Sequence, residues 1–173
     1  KDAIGRLWQG PTIQCDFNMP ERFDMTYVGE DGQEHRPAMV HRVVLAGIER
    51  FMGVFIEQCA GEFPMWVAPV QVKVLPINDR NFEYAQEVAH RLRCEDMRVE
   101  VDTESGTLGN KIRQGEMEKV PYMLIVGDKE QEAGKVAVRK RGEGDLGQTD
   151  LAEFIEQVLP ETKPDARYCA IVQ

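Results

Sequence analysis

Hydrophobic and polar positions along this chain follow two periods, and the change from one to the other marks its elements. Between Pro11 and Phe17, Ile13, Cys15 and Phe17 alternate with Thr12, Gln14 and Asp16, the period of a strand with one polar face. Val28 to Arg36 reads as an exposed hairpin or loop turning at Gly29, Asp31 and Gly32. From Met39 to Cys59, the residues Val44, Ile48, Phe51, Met52, Phe55, Ile56 and Cys59 fall at helical spacing. One long helix is expected there, opened by His41. Pro64 and Pro69 forbid helix beyond it, so Gly61 to Pro69 reads as a connector that packs through Phe63, Met65 and Trp66.

Past the connector, strand and helix alternate. Val70, Val72 and Val74 predict a strand. Asn78 or Asp79 can cap a helix buried through Phe82, Ala85, Val88, Ala89 and Leu92. Met97, Val99 and Val101 predict a second strand, and Leu108 to Lys119 a helix with Leu108, Ile112 and Met117 inward. Tyr122 to Val126 is continuously apolar, as a central strand covered on both faces would be. Lys135 to Arg141 alternates with Val136 and Val138 inward, and Thr149 is placed to cap a last helix burying Leu151, Phe154, Ile155 and Val158. The expected order is β-α-β-α-β-β-α, an α/β unit with a mixed sheet, a parallel core and helices on its faces. Residues 1–62 form a first part, 63–69 a connector, 70–159 the α/β domain, and 160–173 a tail without an assigned element.

Length and composition narrow the function classes. The 173 residues suffice for one domain, or one domain and part of another. With 42% hydrophobic and 29% charged residues, general disorder is excluded. No run approaches the roughly 18 apolar residues of a membrane helix, and no leader follows Lys1. Cys15, Cys59, Cys94 and Cys169 contain no CxxC pair, which fits reduced thiols in a cytoplasmic protein. The net charge of −9 argues against sequence-blind adhesion to nucleic acid. Residues 61–173 alone carry 15 basic and 21 acidic groups, so affinity for RNA would have to come from a focused patch.

Several positions have candidate chemistry. The polar face Thr12, Gln14 and Asp16 fits a ligand site or a solvated strand face. On the expected long helix, Ala46, Gly47 and Arg50 share a side. Gly47 would let a ligand approach the backbone, with the forked guanidinium of Arg50 ready for phosphate; an Arg50–carboxylate pair with Gly47 as a packing contact fits as well. His41 has no second His or Cys at metal spacing and reads as a structural histidine. Lys135, Arg139 and Arg141 line one strand face, suited to phosphate or base contacts or to a charged edge strand. The Glu130 carboxylate can accept from a base donor.

Longer runs carry a specific resemblance. Gly5-Arg6-Leu7-Trp8-Gln9-Gly10-Pro11-Thr12-Ile13-Gln14 and its continuation to Phe23 resemble the second half of motif 2 of threonyl-tRNA synthetases. Arg36-Pro37-Ala38-Met39-Val40-His41-Arg42, through Gly47-Ile48-Glu49-Arg50-Phe51, resembles that family's motif 3. Phe63-Pro64-Met65-Trp66-Val67-Ala68-Pro69 resembles the junction into its anticodon-binding domain, and Val120-Pro121-Tyr122-Met123-Leu124-Ile125-Val126-Gly127-Asp128-Lys129-Glu130 the middle of that domain. The match runs collinearly over about residues 1–159.

The resemblance implies the C-terminal piece of a class II ligase that activates threonine with ATP and Mg2+ and transfers it to tRNA-Thr. The first part is then the end of an antiparallel α+β catalytic domain, and the parent would be a cytoplasmic homodimer. Arg50 matches the motif 3 arginine on the ATP phosphates. Gln9, Thr12 and Gln14 match positions near adenylate and threonine. His41 matches one of three ligands of a zinc ion that binds threonine, in place of the structural role. Zinc suits the discrimination, because a hydrophobic pocket separates threonine poorly from valine. Arg139 and Glu130 match the residues that read the middle and last anticodon bases, and Arg113 a basic residue facing the same loop. The chain departs from the family at Ala46-Gly47, where glycine-serine is usual, and at Glu104-Ser105-Gly106-Thr107, where many members have Arg-Asn-Glu-Lys, so Ser105 stands for a base-reading asparagine. Because the match starts inside motif 2, the isolated chain is expected to be inactive. A non-catalytic RNA-binding accessory protein is the alternative, and a structural dimerisation fragment a weaker one.

Overall fold

The computed structural model describes residues 1–164; Cys169 and the rest of the tail beyond 164 lie outside them. The chain forms two compact units, Lys1–Ala60 and Gly61–Gln173.

In the first unit, β1 (Thr12–Asp16) pairs antiparallel with β4 (Met39–Val43), and β2 (Tyr27–Val28) with β3 (Glu34–His35) in the expected hairpin. A short helix α1 (Asn18–Arg22) follows β1, and α2 covers Ile48–Cys59. The single long helix from Met39 is therefore corrected to a strand and a shorter helix. Val40 and Val43 are stiff, β-branched residues that suit a strand. Ala46 then takes a left-handed backbone (φ +60°), which no helix interior tolerates, and Gly47 is the extended N-cap of α2 (φ −141°). The apolar stripe of α2 is real but not buried. No residue of α2 is buried, and Ile48 is 63% and Phe51 45% exposed.

The second unit contains β5 (Val72–Pro76), β6 (Val99–Val101), β7 (Tyr122–Val126), β8 (Lys135–Lys140) and β9 (Gly144–Asp150) in the spatial order β6-β5-β7-β8-β9. β5 is parallel to β6 and β7, and β8 is antiparallel to β7 and β9. The helices are α3 (Phe82–Cys94), α4 (Leu108–Met117), α5 (Asp128–Ala133) and α6 (Leu151–Val158). The mixed α/β sheet is as expected, but the order is β-α-β-α-β-α-β-β-α, with α5 and β9 added. β8 is thus an interior strand rather than a charged edge.

Alternation sorts the sheet residues. Val72, Val74, Tyr122, Leu124, Val126, Val136 and Val138 join Val88, Leu92, Leu151 and Phe154 in one core. Met65 of the connector packs into this core, as its apolar side chain suggested. The intervening Lys73, Leu75 and Met123 are buried too, and Ile125 is half-buried. Lys73 reaches out to Glu118 with a 2.7 Å hydrogen bond, and Met123 lies against α4. That contact explains a correction in α4, whose buried residues are Lys111 and Gly115 while Met117 is 73% exposed. A Cβ on Gly115 would come within 2.5 Å of Met123 Sδ, so any larger residue there would force the buried Met123 side chain to shift.

Two caps also shift. Asn81, not Asn78 or Asp79, is the N-cap of α3, after a 3-10 turn over Asp79–Asn81. Asp150, not Thr149, caps α6 by accepting the Ala152 N–H at 2.9 Å. Thr149 stays in β9 and donates to Glu153.

Gly115→Val is expected to destabilise the second unit by about 1–3 kcal/mol through overpacking against Met123, whereas Met117→Lys should cost less than about 0.5 kcal/mol. Urea unfolding of both variants checks this, and a larger loss for Met117→Lys would contradict the packing described.

Candidate nucleic-acid interface

In the first unit, the antiparallel register brings together residues that helical spacing had separated. Thr12 lies opposite Val43, Gln14 opposite His41 and Asp16 opposite Met39, so His41 shares the polar face of β1. Gln14, Asp16 and His41 line an open hollow of about 890 Å³. His41 Nε2 faces Asp16 Oδ2 at 3.3 Å. The Asp16 carboxylate also accepts the N–H groups of Asn18 and Met19 at 2.8 and 3.0 Å, starting α1. The Met19 N–H contributes most to holding its pKa below the usual carboxylate value, with burial opposing and the Asn18 N–H and His41 adding.

Gly47 and Arg50 meet at the start of α2 rather than along one helix face. No side chain caps α2, and a Cβ on Gly47 would meet only Arg50 Cβ, at 3.9 Å. The N-terminal N–H groups are therefore open to an anion. The Arg50 guanidinium lies 5.2 Å from the centroid of Trp8 and makes no ion pair among the described residues. Trp8 also stacks under Arg6, and its indole donates to Asp2 at 2.9 Å. Gln9, next to Trp8, is exposed.

A zinc ion would need more donors than this face offers. Among the described residues no three His, Cys, Asp or Glu side chains converge on a metal position. His41 contributes one imidazole, and the carboxylate beside it is engaged by backbone N–H groups. These residues alone do not fit a zinc site.

The second unit spreads its candidates over the loop after β6, α4, α5 and β8. Ser105 is exposed in the loop after β6, where Asp102 Oδ1 accepts the Glu104 N–H at 2.9 Å and lies 3.4 Å from Lys111 Nζ. This loop, with Arg80 and Lys111, borders a cavity of about 890 Å³. Arg113 is exposed on α4, three residues before Glu116, which pairs with Arg139 at 3.5 Å. Arg139 lies opposite Met123 of β7, and its buried Nε has no hydrogen-bond partner among the described residues. Lys135 is exposed, but Arg141 is tied to the carbonyls of Lys119 and Phe63 at 2.6 and 2.8 Å. The basic face of β8 is thus only partly free. Lys140 has its pKa raised, first by its bond to Glu143, against the cost of burial. Glu130 is the third residue of α5 and only 8% exposed.

Two groups were missed in the sequence. Gln148, in β9, donates to Glu130 Oε1. Arg80 and Asn81 bind Asp128 and Gln131, joining α3 to α5. β9 has one apolar residue among glycines and polar groups, so no strand pattern stands out; the stretch between Arg141 and Leu151, long for a hairpin turn, was the available signal.

Comparison with known proteins agrees with this arrangement. Residues 71–161 match the family model described as "Anticodon binding domain", and residues 2–59 match "tRNA synthetase class II core domain (G, H, P, S and T)". The chain belongs to the anticodon-binding-domain family. It is 59% identical over 94% of its length to a threonine–tRNA ligase of Carboxydothermus hydrogenoformans, and 56% identical over 94% to one of Clostridium botulinum strain Hall. It spans 26% of each of these relatives. A solved structure described as the RNA-binding domain of threonyl-tRNA synthetase from Cryptosporidium parvum superposes with a TM-score of 0.85 at 32% identity, covering 95% of this chain and 42% of that one.

The Asp2 clasp gives a pH test. Burial raises the Asp2 pKa, but hydrogen bonds from the Arg6 side chain, the Trp8 indole and the Arg6 N–H outweigh it, lowering it from 3.8 to about 2. A depressed carboxylate pKa stabilises the fold above the unfolded value and stops doing so as pH falls through the folded one. In a Trp66→Phe background, Trp8 fluorescence should therefore change between about pH 4 and pH 2. Asp2→Asn should abolish that step; an unchanged step would contradict the assignment.

Proposed function

We propose that this chain is the anticodon-reading end of a threonine–tRNA ligase, joined to the end of its class II catalytic core. One observation carries the proposal: a single chain combines the anticodon-binding fold with a strand pair that sets Gln14 beside His41 and an open helix N-terminus beside Arg50. An accessory RNA-binding protein would have no use for Gln9, Thr12, Gln14, His41 and Arg50 together.

In the whole enzyme, the threonine carboxylate would attack the α-phosphate of ATP and release pyrophosphate. Arg50 and the open α2 N-terminus would hold the phosphates, since both favour anions and Arg50 has no carboxylate to satisfy among the described residues. Mg2+ would arrive with ATP and share that charge. Gln9, Thr12 and Gln14 would orient adenylate and amino acid by hydrogen bonds. His41 would supply one zinc ligand, the others coming from outside these residues. A terminal hydroxyl of tRNA-Thr would then attack the threonyl carbonyl of the adenylate, taking the threonyl group and releasing AMP.

The second unit would bring the anticodon to Ser105, Arg113, Glu130 and Arg139. The guanidinium of Arg139 suits the acceptor edge of a middle guanine. Its loose 3.5 Å pair with Glu116 leaves guanidinium donors for a ligand. A cytoplasmic homodimer is the proposed setting, in line with thiols kept reduced.

Arg50→Ala in the whole ligase is expected to slow threonine-dependent ATP–pyrophosphate exchange by roughly 10²–10³-fold. The Kd for tRNA-Thr should stay nearly unchanged. An equal loss in both assays would remove Arg50 from the ATP site.

A further inference from the structure

Glu130 is assigned to read a base, yet both of its oxygens are already engaged. Oε2 accepts the Gly127 N–H at 3.0 Å and closes the turn after β7. Oε1 accepts from Gln148 Nε2. At 8% exposure, Glu130 offers a ligand little of itself, whereas Gln148 is exposed. The contact also fixes the Gln148 amide, because a flip would set its oxygen against a carboxylate oxygen. Its own oxygen and its second N–H have no other partner among the described residues, and both remain available.

The backbone there is shaped as well. Gln148 lies opposite Ala137 and Gly147 opposite Val138, but Asp145 is opposite Arg139, so Leu146 is an extra residue in β9. Gly147 takes φ +87°, which the bulge requires and side chains resist. The bulge falls between the strand position of Arg139 and that of Gln148, the two places where bases would be read. Bulges commonly re-aim side chains at such sites.

We propose that Gln148 is a second base-reading residue, held in register by Glu130. It presents one acceptor and one N–H donor side by side. That pair matches the Watson–Crick edge of an unstacked uracil, whose N3–H donates and whose neighbouring carbonyl accepts. The base is the last of the anticodon, the one assigned to Glu130, and the proposal rests on the anticodon reading above. Glu130 then acts partly as a positioning group that selects the amide's orientation.

Gln148→Met in the full chain keeps the length and removes both hydrogen-bonding groups. Kd is measured at one salt concentration for tRNA-Thr transcripts, intact, with the last anticodon base swapped, and with the middle base swapped. Discrimination at the last base should fall at least about fivefold, the loss of one good base contact. Middle-base discrimination and melting temperature should be unchanged. Full last-base discrimination in Gln148→Met would overturn the role of Gln148. So would loss at both bases together, which would mark a structural effect. If the unmodified chain discriminates the middle base but not the last, the Gln148 proposal alone fails. If it discriminates neither, the anticodon reading fails and takes the proposal with it.

Discussion

Strand β7 has to be satisfied on both edges and both faces at once, and the second unit is arranged around that demand. An apolar strand with buried peptide groups needs a ladder on each side. β5 supplies a parallel ladder and β8 an antiparallel one. α3 and α6 pack on the face of Tyr122, Leu124 and Val126, while α4 crosses near Met123 through the glycine gap at Gly115. The proposed recognition groups hang on this strand. Arg139 is fixed opposite Met123, and Glu130 is fixed by the Gly127 turn at the strand's end. A rigid strand carrying groups at two of its levels can address two bases separately.

The first unit poses the opposite problem. It forms hydrogen-bonded strands and a helix but buries almost none of their apolar side chains, with Ile13, Phe17, Phe51 and Met52 all open to solvent. Apolar surface on this scale calls for cover. The relatives are about four times as long as this chain, which spans 26% of them, so the cover is proposed to be the remainder of a class II core. The polar face of Gln14 and His41 would be one wall of a site completed from that remainder, and the further donors of the proposed zinc site would come from there as well.

Legibility in the sequence followed pattern strength. β7 is read correctly from a continuous apolar run, and α3 and α6 from clear stripes, because burial enforces those patterns. β9 and α5 were missed for a shared reason: Gly144–Asp150 and Asp128–Ala133 lie at the rim, where burial does not sort residues. The Met39–Cys59 helix failed because an exposed strand and an exposed amphipathic helix can share one apolar spacing when neither is covered. A bend over residues 44–46, left-handed at Ala46, and the extended Gly47 separate them, and composition reports neither. Among site residues, the pairing of His41 with the β1 polar face was hidden by that same error. Gln148 was hidden with β9. Arg139 and Glu130 are candidates from the residue pattern, and resemblance adds only which base each would read, while the geometry shows how differently they are held.

Binding of this chain to the anticodon stem-loop of tRNA-Thr tests the central claim most directly, at about 0.15 M salt. A loss of about 1–3 kcal/mol is expected for each of the middle and last bases swapped. Equal affinity for every stem-loop would contradict it, and would leave the second unit as a fold that no longer reads an anticodon.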